Sequence, residues 1–252
     1  MRRPIALSSC KLKVFERIWT SRFEWYAEAQ GLFNPQQAGF RKGRNCSDFL
    51  GTVTGHILRG FAGRHYTAVV FAEVAGAYDT VHSGILLQRL RDMGWPPKVL
   101  RLLAALLLSR KIYATYDGRV IGPRQGLAQG SVLSPILYML YTSGISRNLP
   151  QAVTSLKFTD DETLLARGPD LSTVLRTLQD GLQILADNLR EGGAYLSPTK
   201  STLCIFTRRR VPAVRDRIIL DRIPLPESTE ARCLGLIFDS KLTWNAHIRH
   251  VK

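Results

Sequence analysis

The sequence predicts an α+β fold in which antiparallel strands are backed by helices, and three observations predict it. Two adjacent aspartates, Asp160 and Asp161, stand between short apolar stretches in residues 153–166, VTSLKFTDDETLLA, which indicates a β-hairpin with the acids at its turn. A β-rich run over residues 67–71 leads to Glu73. Helical periodicity over 171–189 predicts a long amphipathic helix. Strands that carry acids beside such helices are typical of an α+β domain.

The remaining elements follow from periodicity and turn residues. Apolar side chains share one stripe of a helix predicted over 11–29, which Gly31 and Pro35 end, and we expect the stripe to be core rather than a base-stacking platform. Its members are Leu12, Phe15, Trp19, Phe23 and Tyr26. Further elements are predicted in chain order: helices over 86–91 and 98–109, a hairpin over 111–120 with Asp117-Gly118 at its turn, and strands over 202–207 and 231–238.

The acidic segments indicate a metal site. Neighbouring carboxylates repel, so an Asp-Asp pair at a hairpin tip favours a role in binding divalent cations, although the pair taken alone is more often an ordinary polar turn. In residues 67–79, TAVVFAEVAGAYD, Glu73 ends a strand and Asp79 follows. Small residues between them let the backbone approach metal-bound phosphates, whereas the plainer alternative is a strand leading into a helix cap.

A glycine-containing loop precedes an apolar helix in residues 126–141, GLAQGSVLSPILYMLY. Gly126 and Gly130 permit close backbone approach, and Gln129 offers a donor and an acceptor to a sugar or base. As an isolated pattern, this is a loop and a helix start.

In this order and spacing, the segments resemble the reverse transcriptase domain of LINE-type (non-LTR) retrotransposons over nearly the whole chain. The matching blocks, after an upstream RPI at 3–5, are QAGFRKGRN at 37–45, FAEVAGAYDTV at 71–81, GLAQGSVLSP at 126–135, FTDD at 158–161, LSPTKS at 196–201 and CLGLIFDSKLTW at 233–244. A group II intron maturase-like relative shares the palm but matches these blocks less closely.

The resemblance implies the fingers and palm of a right-hand polymerase, with an antiparallel palm sheet backed by helices and the thumb largely absent. All of 1–252 would then be one reverse transcriptase domain. Residues 1–66 and 82–120 would be mainly fingers, and residues 67–81 and 121–245 mainly palm.

The resemblance also implies an RNA-directed DNA polymerase that adds dNTPs to a DNA primer 3′-hydroxyl on an RNA template. Glu73 and Asp160 match the positions that hold two Mg²⁺ ions, with Mn²⁺ as the alternative, and Asp161 is the accompanying carboxylate. Lys200 matches a lysine proposed to protonate the leaving pyrophosphate.

The other matched positions surround the incoming nucleotide. Tyr78 matches the aromatic that excludes ribonucleotides by clashing with a 2′-hydroxyl. Gly76 and Ala77 match backbone positions near the triphosphate, and Gln129, followed by Gly130, matches a glutamine that touches the sugar.

Three departures bear on activity. Glu73 stands where the family has Asp, Ala128 where it usually has Pro, and Thr159 where it usually has Ala. One extra methylene moves a carboxylate by roughly 1.5 Å, and misplacements of about 1 Å can cost on the order of 100-fold in rate, so we expect strongly reduced polymerase activity. The alternative function is a catalytically inactive nucleic-acid-binding remnant or a domesticated fragment.

The charge of the chain favours a nucleic-acid partner. Its 35 Lys and Arg exceed its 20 Asp and Glu, giving a formal net charge of +15. Arg41 and Lys42, in the basic run 41–44, match finger residues that clamp the triphosphate, whereas the run 208–217 reads equally well as a solvated loop. The sequence contains no recognisable helix-turn-helix or zinc finger that would read bases.

Cysteine use and hydropathy predict the compartment. The four cysteines are dispersed without a CxxC motif, which argues against zinc and favours reduced thiols inside the cell, in cytoplasm or nucleus. The most apolar stretch, 102–108, is far shorter than the roughly 20 residues that cross a bilayer, so no membrane partner is expected. The sequence leaves the oligomeric state open.

Overall fold

The computed structural model describes residues 5–109, 114–116, 119–121, 126–213 and 215–251, which divide into two compact units. As far as they are described, the first unit comprises Met1–Pro35, Ala75–Ile145 and Leu189–Ala194. The second comprises Gln36–Val74, Ser146–Asn188 and Tyr195–Lys252.

The described residues form both helices and strands. The helices are α1 (Cys10–Ala29), α2 (Cys46–Ala62), α3 (Ser83–Asp92), α4 (Pro97–Leu108), α5 (Ser134–Tyr141), α6 (Leu171–Glu191) and α7 (Asn245–Val251), with a 3₁₀ turn at Pro198–Lys200. The strands are β1 (Tyr66–Glu73), β2 (Ala114–Tyr116), β3 (Arg119–Ile121), β4 (Val153–Phe158), β5 (Asp161–Gly168), β6 (Thr202–Phe206), β7 (Ile219–Leu220), β8 (Ile223–Pro224), β9 (Glu230–Cys233) and β10 (Leu236–Asp239).

The second unit is built on a four-stranded antiparallel sheet in the order β4-β5-β1-β6. Because β1 is an inner strand with both faces covered, its residues Tyr66 to Ala72 are all buried and read as a continuous β-rich run. Side chains from α2, the sheet and the β9–β10 hairpin form one core on one face. On the other face α6 packs closely: a Cβ added at Gly181 would lie 3.0 Å from the Val153 side chain.

Helix α2 begins at a capping box. The Asn45 side chain accepts hydrogen bonds from the backbone N–H groups of Ser47 and Asp48, and the Asp48 carboxylate accepts one from Asn45 N–H at 2.9 Å. These bonds satisfy donors that the first helical turn leaves without partners.

The prediction of a single strand over 231–238 is wrong, because this segment is a hairpin of two strands. Cys233 pairs with Leu236, and the two residues between them, Leu234 and Gly235, have φ values of +47° and +85°. Positive φ at both central residues is the signature of a tight turn that suits the twist of a hairpin. The apolar run CLGLIF hides this turn, since leucine is rare in that conformation.

The first unit contains α1, α3, α4 and α5 and the short β2–β3 hairpin. The strands predicted there pair antiparallel, with Tyr116 opposite Arg119, while the predicted turn at 117–118 lies outside the described residues. The predicted helices are confirmed. The aromatic stripe of α1 is only partly core, since Phe23 is buried against Trp95 at 5.0 Å between ring centroids but Phe15 is exposed.

Candidate active site

The Asp-Asp pair lies at the tip of the β4–β5 hairpin, as the sequence predicts. Phe158 pairs with Asp161, which leaves Thr159 and Asp160 as a two-residue turn. Thr159 has a φ of +57°, a conformation that β-branched residues rarely adopt. The turn is therefore strained at the position where the family usually has alanine.

Glu73, the last residue of β1, lies directly opposite Asp161 on β5. Residues directly opposite in an antiparallel ladder share a face and have Cβ atoms about 4.5–5.5 Å apart. Two carboxylates in this position repel each other unless a cation lies near them. The pairing register thus concentrates negative charge where β1 ends.

Hydrogen bonds of its backbone and side chain hold Asp160 at the same end of the sheet. Its carbonyl oxygen accepts a hydrogen bond from Val74 N–H at 2.9 Å, which ties the hairpin tip to the residue after Glu73. Its Oδ1 atom accepts the hydroxyl of Thr159 at 2.7 Å. The departure at position 159 therefore adds a hydrogen bond to a predicted metal ligand.

Lys200 supplies a cation to this edge. It ends the 3₁₀ turn Pro198–Lys200, and the preceding Ser197 N–H donates to the carbonyl of Glu73 at 2.9 Å. The Lys200 ammonium Nζ lies 2.5 Å from Glu73 Oε1, with side-chain exposures of 57% and 26%. The ammonium offsets part of the repulsion between Glu73 and Asp161.

A second ion pair lies on the opposite face of the same hairpin and was missed by sequence reasoning. Lys157 and Glu162 pair across β4 and β5, with Nζ 3.2 Å from Oε1 and both side chains almost fully buried, at 1% and 0% exposure. Burial raises the pKa of the Glu162 carboxyl, and the Lys157 ammonium opposes that rise. The only sequence signal is two charged residues at inward positions of predicted strands.

The segment that contains Arg41 and Lys42 runs alongside the hairpin. Ala38 N–H donates to the carbonyl of Lys157 at 2.9 Å, and a Cβ added at Gly39 would lie 2.5 Å from Thr159 N. Arg41 is half-buried and Lys42 exposed. Gly39, also missed at the sequence level, permits the close approach that carries these cations toward the turn.

Two predicted substrate-binding segments meet within the first unit. Leu127 N–H donates to the carbonyl of Tyr78 at 2.8 Å. Gly126, with a φ of +101°, lies so close that an added Cβ would be 2.6 Å from that carbonyl oxygen. The half-buried Tyr78 ring packs on the buried Tyr138, with centroids 5.2 Å apart. The contacts fix Tyr78 beside the loop that carries Gln129.

The flanking positions are fixed as well. Gly76 has a φ of +59°, and Ala77 is buried. The carbonyl of Gln129 accepts from Ala6 N–H at 2.7 Å, and an added Cβ at Gly130 would lie 3.0 Å from the Ala6 carbonyl oxygen. The backbone of the segment around Ala6 therefore supports the loop.

The family model of "Reverse transcriptase (RNA-dependent DNA polymerase)" matches residues 1–238. The chain belongs to the reverse transcriptase family.

Curated relatives agree with this membership. The "Probable RNA-directed DNA polymerase from transposon X-element" of Drosophila melanogaster is 28% identical over 99% of this chain. The "Probable RNA-directed DNA polymerase from transposon BS" of the same species is 27% identical over 98% of it. The chain spans 28% of the length of each of these relatives. The resemblance to transposon reverse transcriptases is confirmed.

Solved structures share the fold of this reverse transcriptase-family chain. The structure of apo telomerase from Candida tropicalis, truncated from the C-terminal domain, superposes with a TM-score of 0.62 at 12% identity. The match covers 93% of this chain and 45% of that one. The predicted α+β class with an antiparallel sheet is confirmed. The division into fingers and palm and the roles of the site residues stay predictions.

The carboxylates fit a divalent cation chemically. Polymerases in general use paired divalent metals, and Mg²⁺ is commonly bound by one or two carboxylates together with substrate phosphates. Glu73 and Asp161 supply facing carboxylate oxygens at a partly exposed edge. Over the described ranges, no three His, Cys, Asp or Glu side chains converge into a metal-binding group.

In the described part of the chain, no helix is long and apolar enough to cross a membrane.

Proposed function

We propose that this chain is the RNA-directed DNA polymerase domain of a non-LTR retrotransposon, which adds dNTPs to a primer 3′-hydroxyl on an RNA template. The observation that carries the proposal is the pairing of Glu73 opposite Asp161 at an Asp-Asp hairpin turn, with Lys200 at 2.5 Å from Glu73, in a reverse transcriptase-family chain.

Glu73, Asp160 and Asp161 would hold two Mg²⁺ ions, with Mn²⁺ as the alternative. Bound there, the ions would activate the primer hydroxyl and stabilise the leaving pyrophosphate. The Lys200 ammonium, more than half exposed, can leave Glu73 and donate its proton or its charge to the pyrophosphate oxygen.

Six of the predicted positions would contact the incoming nucleotide. Tyr78 is held by the Tyr138 ring and by the backbone of Leu127. Its ring would therefore keep its position and clash with a 2′-hydroxyl. Gly76 and Ala77 would present backbone to the triphosphate, and Gln129 would bond the sugar. Arg41 and Lys42 would neutralise triphosphate charge.

A second candidate function is nucleic-acid binding without catalysis, and one contact favours it. The Glu73 carboxylate, one methylene longer than aspartate, reaches the Lys200 ammonium at 2.5 Å, so a protein cation occupies an oxygen that the polymerase function assigns to metal. A stable pair of this kind would exclude the metal from that oxygen.

Primer extension on poly(rA)/oligo(dT) with Mg²⁺ or Mn²⁺ tests the proposal, with the chain beside its Glu73→Asp and Asp160→Ala variants. The aspartate side chain is shorter and would no longer reach the Lys200 ammonium, so its carboxylate would be available to the metal. We therefore expect Glu73→Asp to raise primer extension, by up to about 100-fold. We expect Asp160→Ala to abolish it. Asp180→Ala, at an exposed position of α6, is the matched control and should extend like the unchanged chain.

The same experiment separates the two functions. Extension that depends on Asp160 establishes the polymerase. If no variant extends the primer while salt-sensitive RNA binding persists, the polymerase proposal fails and the binding function stands.

A further inference from the structure

A cluster of arginines lies at the end of the sheet where β1 begins, whereas Glu73 lies at the other end of that strand. We name it the arginine edge, and all of its members are exposed. They are Arg59, Arg64, Arg167, Arg208, Arg209 and Arg210. The segments that carry them, residues 56–67, 165–169 and 206–213, contain no Asp or Glu, and the nearest acid in sequence is the exposed Asp170 directly after the second segment.

The sheet register brings the three segments together. Tyr66 at the start of β1 pairs with Gly168 at the end of β5, and Thr67 pairs with Phe206 at the end of β6. Glu73 ends the same β1 strand seven residues on, which at about 3.3 Å per residue places it about 23 Å away. The arginine edge is therefore separate from the carboxylates of the candidate active site.

Side-chain contacts order the cluster. The Arg209 guanidinium lies 4.5 Å from the centre of the Tyr66 ring and donates to the carbonyl of Pro169 at 2.6 Å. Arg208 lies over Phe61 at 5.2 Å. Stacking on rings reduces the freedom of these guanidinium groups, so less entropy is lost when they bind an anion.

The six arginines have no ion-pair partner in the part of the chain that the structure describes. Burial lowers the pKa of neighbouring His56, and the positive charges of Arg59 and Arg167 lower it further. Neighbouring cations repel one another, and an anionic ligand would relieve that repulsion.

We propose that the arginine edge binds the phosphate backbone of a nucleic-acid strand, RNA in the first instance, independently of the candidate active site. Strands β5, β1 and β6 are neighbours in the sheet, and neighbouring strands lie about 4.7–4.9 Å apart. Arginines at the ends of these strands therefore form a row of cations. A linear polyanion can contact several of them at once, and guanidinium groups match phosphate oxygens with paired hydrogen bonds. The arrangement reads no bases, so binding is independent of sequence.

Fluorescence anisotropy of labelled oligo(U) RNA across a salt titration tests the proposal. We compare Arg64→Gln/Arg167→Gln/Arg208→Gln with the control Arg101→Gln/Arg217→Gln/Arg222→Gln. Both triples remove the same charge from exposed positions, and Arg64 and Arg222 share positive φ. Each phosphate contact on a single strand contributes about 0.7 to the slope of log affinity against log salt, so we expect the first triple to lower its magnitude by about 2. The control should leave the slope unchanged.

Equal losses in the two triples would overturn the proposal, because net charge alone would then explain binding. Competition by poly-glutamate as effective as by RNA at equal charge would also overturn it, in favour of an acidic protein partner. Ultraviolet crosslinking of RNA to the unchanged protein needs no variant. Crosslinked peptides from residues 60–67 or 206–210 support the proposal, and crosslinks confined to other segments contradict it.

Discussion

Two lysine–glutamate pairs lie at the same end of one sheet and differ in almost every physical respect. Lys157 and Glu162 are almost fully buried at 3.2 Å, whereas Lys200 and Glu73 are partly exposed at 2.5 Å. The glutamates are close in register, since Glu162 pairs with Ala72 and Asp161 pairs with Glu73. Successive side chains of a strand point to opposite faces, so the two glutamates lie on opposite faces of the sheet, one buried and the other partly exposed.

The difference in burial indicates which of the two pairs can take part in chemistry. A buried charge without its partner is costly, so the loss of Lys157 or Glu162 alone should destabilise the hairpin. An exposed pair contributes little to stability, so the Lys200 ammonium can leave Glu73 at small cost. We therefore assign the buried pair to folding and the exposed pair to function, and the following predictions test that assignment in order of decreasing effect on the free energy of unfolding.

Lys157→Met should have the largest effect. It leaves the Glu162 carboxylate buried without a counter-charge, which typically destabilises a protein by about 3–5 kcal/mol. Urea denaturation followed by circular dichroism measures the change. The double variant Lys157→Met/Glu162→Met removes both charges and should recover most of the loss. A double variant as unstable as the single one would show that packing, and not charge, holds this site.

Gly39→Ala should come next, because its new methyl group would collide with the turn between the strands that carry Lys157 and Glu162. The new Cβ would lie 2.5 Å from Thr159 N and 2.7 Å from Thr159 Cγ2, and forced overpacking typically costs about 1–3 kcal/mol. Gly51→Ala in α2 is the matched control, since no atom lies within 4 Å of its added Cβ. Alanine in a helix is better than glycine by roughly 0.5–1 kcal/mol, so the control should be stabilised. Equal responses of the two variants in urea denaturation would contradict the close approach at Gly39.

The pH dependence of Lys157→Met concerns only part of that variant's destabilisation and is a more specific effect. The folded protein holds the Glu162 pKa above its ordinary value of 4.5, so the native state binds the proton more tightly than the unfolded state does. The contribution of Glu162 to stability is therefore greatest below that ordinary value and is lost as pH rises through the folded pKa.

Removing Lys157 removes the charge that opposes this rise, so the folded pKa should move further up. The destabilisation of Lys157→Met relative to the unchanged protein should shrink as pH falls from 8 to 5, by at most about 1.4 kcal/mol per pH unit. Urea denaturation at both pH values measures it. A destabilisation that is constant with pH would mean that folded Glu162 has the same protonation state in the two proteins across this range.

Much of the candidate site could be predicted from the sequence, because local signals encode it. Apolar stretches on both sides of Asp160 and Asp161 predict the hairpin, and the β-rich run before Glu73 predicts the strand that carries it. Which acid lies opposite Glu73 depends on the register between β1 and β5, which are distant in the chain. No local signal sets that register, so the sequence could not single out Asp161.

Contacts of long range explain what the sequence missed. Lys157 and Glu162 read as polar strand positions, and their burial follows only from the packing of the whole sheet. Gly39 reads as one glycine in a basic loop, and its role comes from a backbone more than a hundred residues away. Leu234 has a positive φ, which leucine rarely adopts, so the apolar run around it gave no signal for a hairpin turn.

Lys200→Met should have the smallest effect on stability. The pair is partly exposed, so its loss should change the free energy of unfolding by less than about 1 kcal/mol. Under the proposed function it should still lower primer extension by about 100-fold or more, since general acids typically contribute at least that much. Lys200→Arg keeps the charge but yields its proton far less readily, so it should restore extension only if the role of Lys200 is electrostatic. Faster extension by Lys200→Met would reverse the assignment, because the ammonium would then be an inhibitor that competes with metal for Glu73.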